Sequence, residues 1–136
     1  TVNGISITGG TVQNLYKNKI YDLTSNNASG AVNGLSVSGG TTVSVYNNLI
    51  GNLYTPIASA LNPLIGINIL TGPTTVNVYY NTVYMSGTST SGTFGSSAIS
   101  VNTTPTVTLR NNIFENLIKN ISKFLTNIFI AKYVNS

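Results

Sequence analysis

The chain repeats itself at an interval of about thirty residues, and this repeat constrains the fold more than any other feature of the sequence. Residues 2–23 (VNGISITGGTVQNLYKNKIYDL) align without a gap on residues 32–53 (VNGLSVSGGTTVSVYNNLIGNL). Weaker copies follow at 66–86 (GINILTGPTTVNVYYNTVYMS) and 98–117 (AISVNTTPTVTLRNNIFENL). Self-similarity at such a period is typical of stacked-repeat architectures. Each repeat is therefore expected to bury its apolar face mainly against its neighbours.

Each repeat contains short runs in which apolar and polar residues alternate. In the second copy Leu35 and Val37 precede a Gly39-Gly40 break, and Val43 and Val45 follow it. A period of two predicts strands with one buried face. The first strands are expected near residues 4–8, 35–38, 67–70 and 99–101, and a third strand of each repeat near 20–23, 49–53, 83–85 and 113–117. Segments 24–31, 54–65 and 87–97 vary in length and are rich in Ser, Thr, Gly and Asn, which predicts loops at one edge.

In-register stacking of the repeats would build continuous apolar ladders. Equivalent residues such as Val43, Val76 and Val107 would lie one strand spacing of ~4.8 Å apart. The sequence thus predicts an all-β stack of four to five coils, near 2–31, 32–64, 65–97 and 98–117, in a repeat domain spanning 1–117. A β-sandwich with hairpins at Gly39-Gly40 is the alternative. Near-identical repeats favour the parallel stack.

Two motifs, TTVNVYYNTVY (74–84) and TVTLRNNIFENL (106–117), carry a family resemblance. Residues 2–117 resemble right-handed parallel β-helices of the pectate-lyase-like superfamily, and in detail the Asn-, Thr- and Gly-rich repeats of large secreted surface proteins of Bacteroidota-type bacteria. The resemblance implies a right-handed β-solenoid. For a lyase it would also imply clustered Asp ligands for calcium and a basic catalytic residue. Arg110 is present, but Asp22 and Glu115 are the only carboxylates, so lyase activity is not expected.

The C-terminal segment departs from the repeat. Leu117, Ile118, Ile121, Phe124 and Leu125 recur at helical spacing. This pattern predicts an amphipathic turn or helix that packs on the last coil and leads into a fifth-coil strand at 128–134. A helix that binds a membrane surface or a partner is the alternative. Residues 118–136 are therefore expected to cap the stack or to form a joint between subunits.

The composition excludes most catalytic chemistry. The chain has no His and no Cys, so it cannot assemble a nucleophile–base triad or a transition-metal site. In repeat register Asp22 and Glu115 lie about three coils apart, roughly 14 Å, which is too far for a glycosidase pair. We expect no enzyme activity, no cofactor and no metal. The six Lys and Arg residues are scattered, which argues against a nucleic-acid partner. The sequence contains no run of ~18 apolar residues, so no membrane span is expected.

Three sets of residues are candidates for function. One Asn per repeat falls at the bend between second and third strands, where amides can form a structural ladder from coil to coil. One outward column is mostly tyrosine, and it either stacks on sugar rings or packs against itself or a neighbouring subunit. Three sequons are candidate glycosylation sites. The ladder is Asn18, Asn48, Asn81 and Asn112; the column is Tyr16, Tyr46, Tyr79 and Arg110; the sequon residues are Asn27, Asn102 and Asn120.

Two functions of different classes remain open. Only 6% of the residues are charged, against about a quarter in soluble proteins, and the Thr-, Ser-, Asn- and Gly-rich surface favours an extracellular or cell-surface location. The first function is a non-enzymatic structural protein whose coils stack head-to-tail into a filament, fibre or surface layer, because the first repeat begins at Val2 and its edge needs a partner. The second is a carbohydrate-binding or adhesive module of a larger secreted protein.

Overall fold

The computed structural model describes residues 1–120 and 129–131, with the backbone alone described at 120 and at 129–131. Fifteen strands and no helix lie in these residues. In chain order they are β1 (Val2–Ile7), β2 (Val12–Tyr16), β3 (Lys19–Ile20), β4 (Leu23–Thr24), β5 (Val32–Val37), β6 (Thr42–Tyr46), β7 (Leu49–Gly51), β8 (Leu53–Tyr54), β9 (Ala60–Ile69), β10 (Thr75–Tyr79), β11 (Thr82–Ser89), β12 (Phe94–Val101), β13 (Thr106–Arg110), β14 (Ile113–Asn120) and β15 (Phe129–Ala131).

The strands form three long sheets that run along the stack. The first sheet has the order β1-β5-β9-β12, the second β2-β6-β10-β13, and the third β3-β7-β11-β14-β15, while β4 and β8 form a small fourth sheet. Coil 1 therefore contains β1 to β4, coil 2 β5 to β8, coil 3 β9 to β11, and coil 4 β12 to β14. The chain is a parallel β-solenoid of about 4 turns with ~31 residues per turn. This confirms the stacked coils and the strands expected near 4–8, 35–38, 67–70 and 99–101.

The β-sandwich alternative is wrong. Gly39 and Gly40 connect β5 to β6, which lie in different sheets instead of pairing as a hairpin. The strands β1 to β14 instead pair in parallel with their counterparts one repeat away, as Tyr46 does with Tyr16 on one side and with Tyr79 on the other. The repeat therefore sets the register directly, because identical strands stack on each other.

Apolar ladders from the three sheets meet inside the coils. Val43 and Val76 face inward from the second sheet, Ile50 and Val83 from the third, and all four are fully buried. Fully burying one such side chain contributes roughly 1.5–3 kcal/mol. The first sheet completes the core with Val32, Leu35, Val37, Leu64, Ile67 and Ile69.

A glycine column allows the first and third sheets to approach closely. A Cβ atom added to Gly34 would lie 2.5 Å from Cγ2 of Ile50 and 2.7 Å from the carbonyl oxygen of Gly66. Gly66 is equally constrained, with Cγ1 of Val83 at 2.4 Å from the position of a Cβ. The glycines of this column are thus required by space inside the coil.

The corner between the second and third sheets is made by one residue in the left-handed conformation. This residue directly precedes each ladder asparagine and turns the chain so that the asparagine points inward. Asparagine tolerates the left-handed region better than most residues, and it stands here in two of the four coils. The four corner residues are Lys17 (φ 57), Asn47 (φ 55), Tyr80 (φ 55) and Asn111 (φ 51).

All three predicted loops overlap strands, the first at Thr24 alone and the other two over several residues. β9 already begins at Ala60, β11 continues to Ser89, and β12 begins at Phe94, so 60–65, 87–89 and 94–97 are not loop. Parallel neighbours supply hydrogen-bond partners for these stretches, as Gly87 pairs with Ile118. Tertiary pairing therefore overrides a composition that is typical of loops.

The helical prediction for the C-terminal segment is wrong where the structure describes it. β14 continues past Leu117 to Asn120, paired in parallel with the extended end of β11. The predicted fifth-coil strand is present at Phe129–Ala131, but it pairs antiparallel with β14, whereas a further coil would pair in parallel. The rest of the predicted helix, 121–128, lies outside the described residues.

Candidate functional site

The four asparagines predicted as a ladder lie in one column and bond to each other. Asn48 donates its backbone N–H and its Nδ2 to Oδ1 of Asn81, at 3.0 and 2.9 Å. Asn81 in turn donates the same two groups to Oδ1 of Asn112, at 2.9 and 3.0 Å, and Asn18 donates them to Asn48. Each coil therefore donates to the side-chain oxygen of the following coil.

A second set of bonds ties each ladder amide to the preceding coil. Nδ2 of Asn48 donates to the carbonyl oxygen of Leu15 at 3.0 Å, and Nδ2 of Asn81 donates to that of Val45 at 2.9 Å. Asn48 and Asn81 are almost fully buried. Because each buried amide bonds both a backbone donor and a backbone acceptor, its own polar groups are not left unsatisfied at the corner.

The ladder has a direction. Among the described residues, no group donates to Oδ1 of Asn18, the first member. Asn112, the last member, donates Nδ2 to the carbonyl of Val78 at 2.8 Å, and within the described part of the chain it meets no further Oδ1. Coil 1 thus ends the ladder with an acceptor, and coil 4 ends it with donors.

The tyrosine column lies on the outside of the second sheet, in the register that the repeat predicts. The rings of Tyr16 and Tyr46 are stacked, with centroids 5.0 Å apart and planes 4° apart. The hydroxyl of Tyr79 donates to Oδ1 of Asn77 at 3.0 Å, and the Arg110 guanidinium carbon lies 5.9 Å from the Tyr79 ring centroid. The column therefore packs against itself in two pairs, Tyr16 with Tyr46 and Tyr79 with Arg110, and Tyr16 at coil 1 is half exposed.

Further polar contacts cross between coils without having been predicted, and two of them join residues exactly one repeat apart. Nδ2 of Asn33 donates to Oδ1 of Asn3 at 2.8 Å on the first sheet, and Asn52 donates to the Asp22 carboxylate at the next corner. The exact thirty-residue spacing of both pairs could have revealed them, because identical register places such residues side by side. Asp22 is therefore held in a structural contact.

The three sequon asparagines lie in different surroundings. Asn27 is exposed in a loop, and its Oδ1 accepts bonds from the N–H and the hydroxyl of Ser29, both at 2.9 Å. Asn102 is exposed and accepts a bond from the Thr103 hydroxyl at 3.4 Å. Asn120 ends β14, and only its backbone is described. Glycosylation at these positions stays a prediction.

The described residues bring no group of three or more His, Cys, Asp or Glu side chains together. The two carboxylates belong to different ends of the stack: Asp22 lies in coil 1 and Glu115 in coil 4, where Glu115 pairs with Tyr84 of coil 3. No helix in the described part of the chain is long and apolar enough to cross a membrane.

Fold and ladder together define the class: a parallel β-solenoid repeat protein with an internal asparagine ladder. Comparisons with protein-family models, with curated proteins and with solved structures find no match to this chain.

Proposed function

We propose that this chain is a non-enzymatic structural protein of the cell exterior, whose coils stack end to end into a filament, fibre or surface layer. The proposal includes the right-handed winding and the kinship with secreted surface repeats of Bacteroidota-type bacteria that the sequence motifs suggest. The Thr-, Ser-, Asn- and Gly-rich surface supports an extracellular location. The small number of charges supports end-to-end stacking, since few like charges oppose it.

The edge of coil 1 that no described strand covers is the observation that carries the proposal. Val32, Leu35 and Val37 of coil 2 are fully buried, whereas their counterparts Val2, Ile5 and Ile7 of coil 1 are only half-buried. Within the described residues, β1, β2 and β3 each pair on one side only. Unpaired strand edges with apolar ladder ends are templates for pairing with another chain. A further coil of matching register would complete all three sheets at once.

The tyrosine column gives less support to the carbohydrate-binding alternative. Sugar rings stack on exposed aromatic faces, and in this column one face of Tyr46 is covered by Tyr16. Tyr16, at the end of the column, is half exposed and has no ring above it in the described residues, whereas Tyr46 and Tyr79 are more buried. Tyr16 lies at the same edge where another coil would dock.

Sedimentation velocity across a range of protein concentrations, with negative-stain electron microscopy of the same samples, tests the proposal. We expect species that grow with concentration and appear as polymers of uniform width. A single monomer boundary at every concentration would contradict it. Retention of that monomer on immobilised polysaccharide would then favour the binding-module alternative.

A further inference from the structure

We propose that the joint between copies is head-to-tail and in register, so that coil 4 of one copy docks on coil 1 of a second copy. The proposal rests on the proposed function and adds the partner surface and its polarity. In this joint Asn112 of one copy lies beside Asn18 of the next, and Arg110 lies beside Tyr16. Such a contact is heterologous and propagates into a filament unless a rotation closes it.

The direction of the asparagine ladder selects this polarity. Coil 1 offers the Oδ1 acceptor of Asn18, and coil 4 offers the N–H and Nδ2 donors of Asn112. A head-to-tail joint repeats the bonds that Asn81 makes to Asn112 inside the chain, at 2.9 and 3.0 Å. A head-to-head joint would instead place two Oδ1 acceptors against each other, and buried acceptors without donors are unfavourable.

The orientation of the ladder amides is fixed by backbone groups. Oδ1 of Asn48 receives the backbone N–H of Asn18 at 3.0 Å, and Nδ2 of Asn48 meets the carbonyl oxygen of Leu15 at 3.0 Å. Flipping the amide would place a donor against the N–H and an acceptor against the carbonyl. The acceptor end and the donor end of the stack are therefore determined by the fold.

The outward column supplies a second complementary pair. Arg110 already lies beside the Tyr79 ring of its own chain, with the guanidinium carbon 5.9 Å from the ring centroid. Tyr16 pairs with Tyr46, which pairs with Tyr79, so the three tyrosines share one register position. Tyr16 is half exposed. In a head-to-tail joint the guanidinium of one copy lies next to Tyr16 of the next, where a cation is attracted to the ring.

The antiparallel strand β15 competes with this joint at one point. Continued register would pair Ile20 of the incoming copy with Phe114, as Ile20 pairs with Ile50 within the chain. β15 already occupies that edge, because Ala131 pairs with Phe114. The first and second sheets and the asparagine corner can dock beside β15, but full pairing of the third sheet requires β15 to leave Phe114.

Disulfide trapping between two cysteine variants tests the register, since the chain has no cysteine of its own. Asn14 in coil 1 and Thr108 in coil 4 take the same register position, through Ser44 and Asn77. They lie about 14 Å apart within one chain, beyond the reach of a disulfide, but one strand spacing apart across the proposed joint. Both substitutions leave Tyr16 and Arg110 in place.

Asn14→Cys and Thr108→Cys proteins are mixed, oxidised mildly and analysed by non-reducing electrophoresis and peptide mapping. We expect the mixed disulfide to be the main product, and we expect a Ser44→Cys plus Thr108→Cys mixture, with one partner in an internal coil, to give little. Polymers with Asn14→Cys homodimers, or with no disulfide at this pair, would overturn the head-to-tail joint and leave end-to-end stacking standing. Absence of polymers would refute the proposed function itself.

A second comparison needs no cysteine. Arg110→Ala should raise the protein concentration required for polymer formation by about three-fold or more, as expected for loss of an exposed cation–π contact. Lys119→Ala removes the same charge at an exposed position outside the column and should leave that concentration unchanged. Equal effects of the two variants would show that net charge, and not contact with Tyr16, governs assembly, and would contradict the proposed joint.

Discussion

Replacing Asn81 by alanine removes the side chain at the centre of the asparagine ladder. That side chain takes part in four hydrogen bonds: its Oδ1 accepts from the N–H and Nδ2 of Asn48, and its Nδ2 donates to Val45 and Asn112. The residue is 1% exposed, so water cannot replace the lost partners without entering the coil. The substitution leaves the Asn48 N–H without its acceptor and removes one of the donors to the Val45 carbonyl.

The expected loss of stability follows from these contacts. A net contribution of about 0.5–1.5 kcal/mol per hydrogen bond gives about 2–6 kcal/mol for four. We take about 4 kcal/mol, a large share of the 5–15 kcal/mol that is typical of a folded domain. Asn18→Ala is the matched control, because the Asn18 side chain makes a single bond, to Asn48, at the partly exposed end of the ladder. It should cost about 1 kcal/mol.

Urea unfolding of both variants, followed by circular dichroism at concentrations where the chain is monomeric, measures the two free energies of unfolding. Asn81→Ala should be less stable than Asn18→Ala by about 3 kcal/mol. Equal destabilisation by the two substitutions would refute the hydrogen-bond argument, because it would mean that position in the ladder and burial do not matter.

Three further predictions concern the core, a corner and the end of the stack. Val45→Asp places an unpaired carboxylate at a fully buried position and should abolish the β-sheet circular dichroism signal. The outward-facing Ser44→Asp is the control and should retain that signal. A folded, heat-resistant Val45→Asp protein would show that the strand faces the other way. Tyr80→Asn should stabilise the fold by about 1 kcal/mol, because Tyr80 holds a φ of 55°; a lower melting temperature would contradict this. The double variant Phe129→Pro/Ile130→Pro removes at least one N–H facing β14 and should form polymers at a lower protein concentration than the parent. A higher required concentration would mean that β15 belongs to the joint.

The fold could be predicted because the spacing of the repeat determines which residues of neighbouring strands pair. Pairs such as Val2 and Val32 are thirty residues apart in the sequence and directly paired in the first sheet. The asparagine column was predictable for the same reason, since Asn48, Asn81 and Asn112 recur at a corner where an inward amide finds backbone partners in two coils.

The C-terminal segment could not be predicted from periodicity. Leu117 and Ile118 fit a helical spacing, but the extended end of β11 offers an unpaired edge, and pairing with it outweighs the local pattern. The antiparallel return of β15 also depends on tertiary contact, because its sequence reads equally well as a parallel strand. The polarity of the ladder required the structure, since only the observed bonds show which amide atom faces which coil.

The axial repeat of the polymers tests the central claim of end-to-end stacking most directly. Four coils at ~4.8 Å give a rise of about 19 Å for each copy when coil 4 continues into coil 1. Helical reconstruction from electron cryomicroscopy should therefore show β-strand layers at ~4.8 Å and one subunit every ~19 Å, all pointing the same way. A repeat near twice that value with alternating subunit direction, or side-by-side association without continuous strand layers, would contradict the account.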